Sequence, residues 1–259
     1  MSGEPEAPLV DARTDAGVRV LTLRREDKLN ALSAALEQAL AEALAHEEVR
    51  NAGCVVLTGS GRAFSVGADI DELRERTPEA VFGYYAATGG VYEQLAALPQ
   101  PTVSAIGGYC LGGGLELALA TDFRIADETA VFGFPEVGLG ILPSSGGTER
   151  VTRLVGPARA KELILLRGRI DAHEALAYGL VSEVVRPGEA LDRALALAHE
   201  LAELPSLAAS LAKQAIDAVP ESSRAAGILI ERLAYAMLAQ TEDAQAASEA
   251  FERRPRRRG

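Results

Sequence analysis

Two glutamates stand in apolar surroundings where an acid is costly to bury. Glu116 lies one turn into Gly112–Ala120, a predicted helix that is otherwise apolar, and Glu136 lies between Pro135 and Val137. A carboxyl group in such a place needs a dedicated partner or has a raised pKa. Each acid alone could be a structural group, such as a helix cap or an ion-pair partner. Together they favour general acid–base chemistry.

Two glycine-rich segments, Gly61–Ile70 and Gly107–Leu117, each follow a predicted strand. Glycines at a strand-to-helix turn let a ligand approach the backbone and leave the first N–H groups pointing outward. Two such turns facing each other could hold one carbonyl oxygen between two N–H donors, which is an oxyanion hole. The alternative is that the glycines serve only tight turns.

The elements that must position these residues alternate between β-rich runs and amphipathic helices. Strands are predicted near residues 18–23, 54–57, 102–106, 123–125 and 130–132, with helices over about 33–46 and from 77 onward. This alternation favours an α/β architecture. From about Asp171 almost every segment is typical of a helix. The apolar run Ser222–Gln240 predicts packing on the core or on another subunit.

Composition excludes several classes of protein. The 259 residues carry a net charge of -11, which argues against a nucleic-acid partner, and the sequence has two cysteines, too few for a disulfide framework or a structural zinc site. We find no membrane-length apolar run and no secretory signal, so a cytoplasmic, metal-free protein is expected. Five arginines within residues 253–259 are either a solvated terminus or a local cationic patch for phosphates.

The chain resembles the enoyl-CoA hydratase/isomerase (crotonase) family over nearly its whole length. The motifs occur in the family's order: Lys28-Leu-Asn-Ala-Leu, Ala63-Phe-Ser-Val-Gly-Ala-Asp-Ile, Gly108-Tyr-Cys-Leu-Gly-Gly-Gly-Leu-Glu-Leu, Phe132-Gly-Phe-Pro-Glu and Gly146-Gly-Thr-Glu-Arg. The resemblance implies an α/β fold with a crotonase-like spiral of ββα units over residues 1–195. It also implies a helical C-terminal region, 196–259, that assembles a homotrimer or a dimer of trimers.

The resemblance also implies a reaction and the residues that perform it. The backbone N–H groups of Ala68 and Gly113 would bind the thioester carbonyl of an acyl-CoA. Glu116 would activate water to attack the β-carbon, and Glu136 would protonate the α-carbon. The expected activity is reversible syn hydration of a trans-2-enoyl-CoA to the 3-hydroxyacyl-CoA. No metal or redox cofactor is expected, because coenzyme A is part of the substrate.

Further substrate-binding and CoA-binding positions follow from the same motifs: Lys28, Ala63, Ser65, Ala68, Asp69, Ile70, Gly112 and Ser144. Ser144 stands where the hydratases have glycine, so its hydroxyl could tune or redirect the chemistry. The acyl pocket wall is expected to include Phe82, Tyr84, Tyr85 and Tyr92.

Two alternatives remain open from the sequence. One is double-bond isomerisation or another enolate reaction on an acyl-CoA, for which a single acid at the Glu136 position often suffices in this family. The other is a non-catalytic or RNA-binding relative, which the arginine tail favours and which the net charge and the two acids oppose.

Overall fold

A computed structural model describes residues 7–73, 77, 79–80, 82–83 and 90–252. The expectations for Tyr84, Tyr85 and the arginine tail lie outside these described residues. The chain divides into two compact units, with the division between Ala202 and Glu203. The boundary expected at 195/196 falls inside the helix Ala190–Ala202. The division follows that helix because its buried alanines pack on the sheet of the first unit.

The strands of the described residues form two sheets. The first sheet has the order β1-β2-β3-β5-β7-β10, and the second has the order β4-β6-β8-β9. The strands of the first sheet are β1 (Val10–Asp15), β2 (Val18–Leu23), β3 (Cys54–Gly59), β5 (Thr102–Ile106), β7 (Phe123–Asp127) and β10 (Glu183–Val185). Those of the second are β4 (Ala63–Ser65), β6 (Tyr109–Leu111), β8 (Val131–Gly133) and β9 (Ile170–Asp171).

The connections between the sheets repeat along the chain. Strands β3, β5 and β7 lie side by side and parallel in the first sheet, and each is followed directly by β4, β6 or β8 in the second. Helical residues follow each of these pairs, so every repeat adds one strand to each sheet before the chain turns back. This repetition is a spiral of ββα units, and it places the ends of β4 and β6 side by side.

The first long helix of the first unit begins where the sequence predicts it. Ser33 caps the helix predicted near 33–46, since its hydroxyl accepts a hydrogen bond from the Leu36 N–H at 3.2 Å. The helices are Ala34–Ala45, Glu47–Arg50, Ile70–Leu73, Gly90–Ala96, Gly113–Leu119, Gly147–Lys161, Ala172–Ala177 and Ala190–Ala202, with a π-helix at Glu162–Arg167. The expectation that nearly everything after Asp171 is helical is wrong at β10, which is too short to show strand periodicity and pairs with β7.

The core of the first unit lies on both faces of the larger sheet. On one face the helix Ala34–Ala45 buries Leu36, Leu40 and Leu44. On the other face, valines of β2, β3 and β5 contact Ala194 and Ala198 of the last helix of this unit. Alanine side chains let the helix backbone approach the sheet closely, so the parallel strands are buried from both sides.

The second unit consists of helices over its described residues: Ser206–Ala218, Arg224–Leu238 and Glu242–Glu252. The first two pack against each other. The predicted apolar helix is therefore confirmed as Arg224–Leu238, and within this single chain its Leu229, Leu233 and Met237 are more than half exposed. Within the described part of the chain, we find no helix that is long and apolar enough to cross a membrane.

Candidate active site

The first wall of the site is formed by the residues that follow β4, from Gly67 to Asp69. The Leu32 N–H donates to the Gly67 carbonyl at 2.8 Å, and the Asp69 N–H donates to the Leu32 carbonyl at 3.0 Å. These two bonds hold Ala68 in an extended, strand-like bridge to Leu32. Because successive N–H groups of an extended chain point in opposite directions, the N–H of Ala68 points away from Leu32.

The second wall is the start of the helix Gly113–Leu119, directly after β6. Gly112 enters this helix at φ 52° and ψ -127°, a conformation open to glycine but strained for other residues. Gly113 is the first helical residue, so its N–H has no carbonyl within the helix to pair with. A Cβ built on Gly67 would lie 3.0 Å from the Gly113 nitrogen, and one built on Gly113 would lie 3.5 Å from the Ala68 nitrogen. The two glycine-rich turns therefore face each other.

Glu116 projects from the first turn of that helix and is 3% exposed. Its Oε1 accepts hydrogen bonds from the N–H groups of Ser145 at 2.7 Å and Gly147 at 2.8 Å. Burial raises the pKa of Glu116, while these N–H groups and the positive charge of Arg150 oppose the rise. A carboxylate at this position is thus stabilised by specific donors at the start of the helix Gly147–Lys161.

Glu136 begins the short 3-10 helix Glu136–Leu139, and its environment differs from that of Glu116. Its Oε2 is buried with no hydrogen-bond partner among the described residues. Burial, together with the smaller effect of the Glu116 charge, raises the pKa of Glu136 to about 7. A Cβ built on Gly112 would lie 2.6 Å from Glu136 Oε1, so only glycine leaves room for this carboxyl beside the helix start.

These walls enclose a cavity of about 70 Å³. Seven of the predicted site residues line it: Ala68, Ile70, Gly112, Gly113, Glu116, Glu136 and Ser144. Tyr92, expected in the pocket wall, lines it as well. Sequence reasoning missed the apolar rim formed by Leu139, Ile141 and Leu142, which are each more than half exposed in the single chain. In the sequence these residues form an apolar run after Glu136 whose spacing matches neither a helix nor a strand, so nothing in it indicates a pocket wall.

Four other predicted residues do not line the cavity. Ser65 is fully buried, and its hydroxyl donates to the Asn30 carbonyl at 2.7 Å. Ala63 is buried in β4. Asp69 accepts a hydrogen bond from Arg25 at 2.7 Å, which holds its pKa below the ordinary value. Lys28 is exposed and lies 3.9 Å from Asp71. Ser65 and Asp69 therefore support the chain around Ala68 rather than presenting groups to the cavity.

Within the described residues, no group of three or more histidines, cysteines and carboxylates could hold a metal ion. The residues that converge on the cavity are two carboxyls and two backbone turns.

The chain is similar to known proteins over most of its length. Residues 13–257 match the family model described as enoyl-CoA hydratase/isomerase. A relative from Rhizobium meliloti, named probable enoyl-CoA hydratase, is 43% identical, with 92% of each chain covered. A short-chain-enoyl-CoA hydratase from Clostridium acetobutylicum is 38% identical, with 90% of each chain covered. The crystal structure of an enoyl-CoA hydratase from Bacillus anthracis superposes with a TM-score of 0.89 at 38% identity, covering 94% of this chain and 96% of that one.

The match covers nearly the whole chain, and the solved relative has the same fold. The chain belongs to the enoyl-CoA hydratase/isomerase family. The predicted family and the predicted crotonase-like α/β fold are both confirmed.

Proposed function

We propose that this protein is an enoyl-CoA hydratase that adds water reversibly, and with syn geometry, to a trans-2-enoyl-CoA. The observation that carries the proposal is that two carboxyls with opposite hydrogen-bonding environments, Glu116 and Glu136, line one cavity beside two backbone turns. The names of the relatives at 38–43% identity support the same activity.

The first step of the proposed mechanism is polarisation of the thioester. The N–H groups of Ala68 and Gly113 donate to the thioester carbonyl oxygen, which carries more negative charge in the enolate-like transition state than in the substrate. Fixed donors aimed at that oxygen therefore stabilise the transition state more than the bound substrate.

The second step requires one ionised and one protonated carboxyl. Glu116 accepts two backbone N–H bonds and faces Arg150, and these groups oppose the rise in pKa that burial causes, so we assign it the ionised form. Glu136 has a buried oxygen without a partner and a pKa of about 7, so it holds its proton near neutral pH. The Glu116 carboxylate takes a proton from water as the oxygen bonds to C3, and the Glu136 carboxylic acid delivers its proton to C2. Dehydration runs the same transfers in reverse.

The surrounding residues extend the proposal. Lys28, which is exposed, would bind a CoA phosphate, and Ser144, which lines the cavity, would lie near the reacting water. The reaction as written needs no metal or redox cofactor. We also propose a homotrimer or a dimer of trimers, which would cover the apolar face of the helix Arg224–Leu238. A cytoplasmic location is supported by the two buried cysteines, Cys54 and Cys110, which form no disulfide, because reduced cysteines are typical of reducing compartments.

The test follows the loss of the enoyl-thioester absorbance of crotonyl-CoA with time. Glu116→Gln and Glu136→Gln should each lower kcat by roughly 10²–10⁴-fold, since each removes one proton-transfer group. Glu128→Gln, at an exposed position outside the cavity, makes the same chemical change and should leave kcat unchanged. The proposal fails if neither cavity variant loses hydration. Isomerase chemistry would instead be indicated if Glu116→Gln kept full turnover of a 3-enoyl-CoA while Glu136→Gln lost it.

A further inference from the structure

A buried tyrosine and a buried glutamate form a hydrogen bond next to the cavity without belonging to the two-acid machinery. Tyr92, on the helix Gly90–Ala96, is 2% exposed, and Glu37, on the helix Ala34–Ala45, is 3% exposed. The Tyr92 hydroxyl donates to Glu37 Oε1 at 3.0 Å. Burying both polar groups is costly unless they pair, so this bond fixes the two helices relative to each other at one point.

The same pair reaches the start of the helix that carries Gly113. A Cβ built on Gly113 would lie 3.2 Å from the Tyr92 hydroxyl oxygen and 3.4 Å from Leu32 Cδ1. The tyrosine hydroxyl and the Leu32 side chain thus pack directly against the Gly113 backbone. That backbone carries one of the two N–H groups proposed to bind the thioester oxygen.

The other N–H donor is tied to the same helix by a different route. Leu32 lies just before the helix Ala34–Ala45, and its backbone holds Gly67 and Asp69 on either side of Ala68. The helix therefore contacts both donors: the Ala68 side through the Leu32 backbone, and the Gly113 side through Glu37 and Tyr92. The separation of the two N–H groups depends on both connections.

We propose that Tyr92 and Glu37 are positioning residues for the oxyanion site, an inference that rests on the proposed function of that site. Their hydrogen bond holds the N–H of Gly113 at the spacing from Ala68 at which both donors reach one oxygen. Loss of the bond lets the Gly113 N–H at the start of the helix Gly113–Leu119 shift relative to the N–H of Ala68. Because the donors act most strongly on the transition state, the loss affects kcat more than KM.

The test compares Tyr92→Phe with a matched change elsewhere. Tyr92→Phe keeps the ring and removes only the hydroxyl, and we expect a drop in kcat of roughly 10-fold or more with little change in KM. Tyr178→Phe is the control, because the Tyr178 hydroxyl also donates to a glutamate, Glu162 at 2.9 Å, and lies outside the cavity lining. Glu37→Gln retains an acceptor for the tyrosine and should keep most of the kcat, whereas Glu37→Leu should behave like Tyr92→Phe.

A spectroscopic measurement tests the positioning role of Tyr92 and Glu37 independently of the proposed hydration activity. Infrared spectra of bound butyryl-CoA with a ¹³C-labelled thioester carbonyl report its polarisation without any turnover. We expect a carbonyl shift to lower frequency in the wild type and a smaller shift in Tyr92→Phe. If the shift and kcat are equal in the two proteins, or if only KM changes, the positioning role is refuted. A wild type that polarises the carbonyl but does not hydrate enoyl-CoAs would overturn the proposed function alone.

Discussion

Replacing Glu136 with glutamine should stabilise the folded protein at pH 8 but not at pH 5. Burial, and then the charge of Glu116, raise the pKa of Glu136 from the ordinary 4.5 to about 7 in the folded state. The folded wild type therefore keeps this proton up to about pH 7, whereas the unfolded chain loses it near pH 4.5. Stability of the wild type is lost as pH rises through this window, because ionisation favours the unfolded chain. Glutamine has no proton to lose.

The size of the effect follows from the shift. One pKa unit corresponds to about 1.4 kcal/mol, so a shift from 4.5 to about 7 gives at most about 3.5 kcal/mol above pH 7. Glu136 is partly open to solvent, which screens its charge, so we expect a difference of about 1–3 kcal/mol at pH 8. Below pH 4.5 both side chains are neutral, and the pH-dependent part of the difference vanishes.

Urea unfolding followed by circular dichroism measures this difference between pH 5 and pH 8. The protein concentration is held constant, since any assembly would make the apparent stability depend on it. Glu128→Gln, an exposed site, is the control for the change in net charge. If the difference in stability between Glu136→Gln and the wild type stays constant from pH 5 to pH 8, the raised pKa and the protonation assigned to Glu136 are refuted.

In Glu116→Gln, the pKa of Glu136 should fall but stay above its ordinary value, because burial is the larger cause of the shift. Titration of the Glu136 carboxyl by ¹³C NMR measures this change.

Three further substitutions test other parts of the site and core. Gly112→Ala places a Cβ 2.6 Å from Glu136 Oε1 at a strained φ of 52°, and should lower kcat roughly 10–100-fold in the crotonyl-CoA assay. Ser144→Ala keeps the backbone N–H that lowers the pKa of Glu116, so kcat should stay within about threefold of wild type. Arg124→Met removes a buried guanidinium that donates to four backbone carbonyls and should cost about 2–4 kcal/mol of unfolding free energy, with a matching fall in Tm. An unchanged Tm for Arg124→Met would show that those carbonyls find other partners.

Local sequence signals predict the repeating part of the fold. Ser33 and Asp171 cap their helices, with the Asp171 side chain accepting from the Glu174 N–H at 2.8 Å, and both are residue types that favour this position. The buried strands β2, β3 and β5 are apolar runs bounded by turn residues, which is the pattern of parallel strands covered on both faces. Such signals act within a few residues of each other, so they can be read from one sequence.

Contacts between distant segments account for most of what the sequence could not predict. Nothing near Ser65 or Asp69 indicates that their side chains bind the Asn30 carbonyl and Arg25 instead of facing the cavity. The bond between Glu37 and Tyr92 joins two residues that are 55 positions apart in the chain and lie on different helices. A polar residue in a motif can serve the ligand or the backbone that holds the ligand, and only the folded arrangement distinguishes these roles.

The different hydrogen bonding of the two acids also comes from a distant segment. Both Glu116 and Glu136 stand among apolar residues in the sequence, and burial raises the pKa of each. The N–H groups of Ser145 and Gly147 reach only Glu116 Oε1, while Glu136 Oε2 is left without a partner among the described residues. Without that loop, burial would raise the pKa of Glu116 with no backbone donor from Ser145 or Gly147 to oppose it. The start of the helix Gly147–Lys161 therefore distinguishes the two carboxyls, as the proposed division into one base and one acid requires.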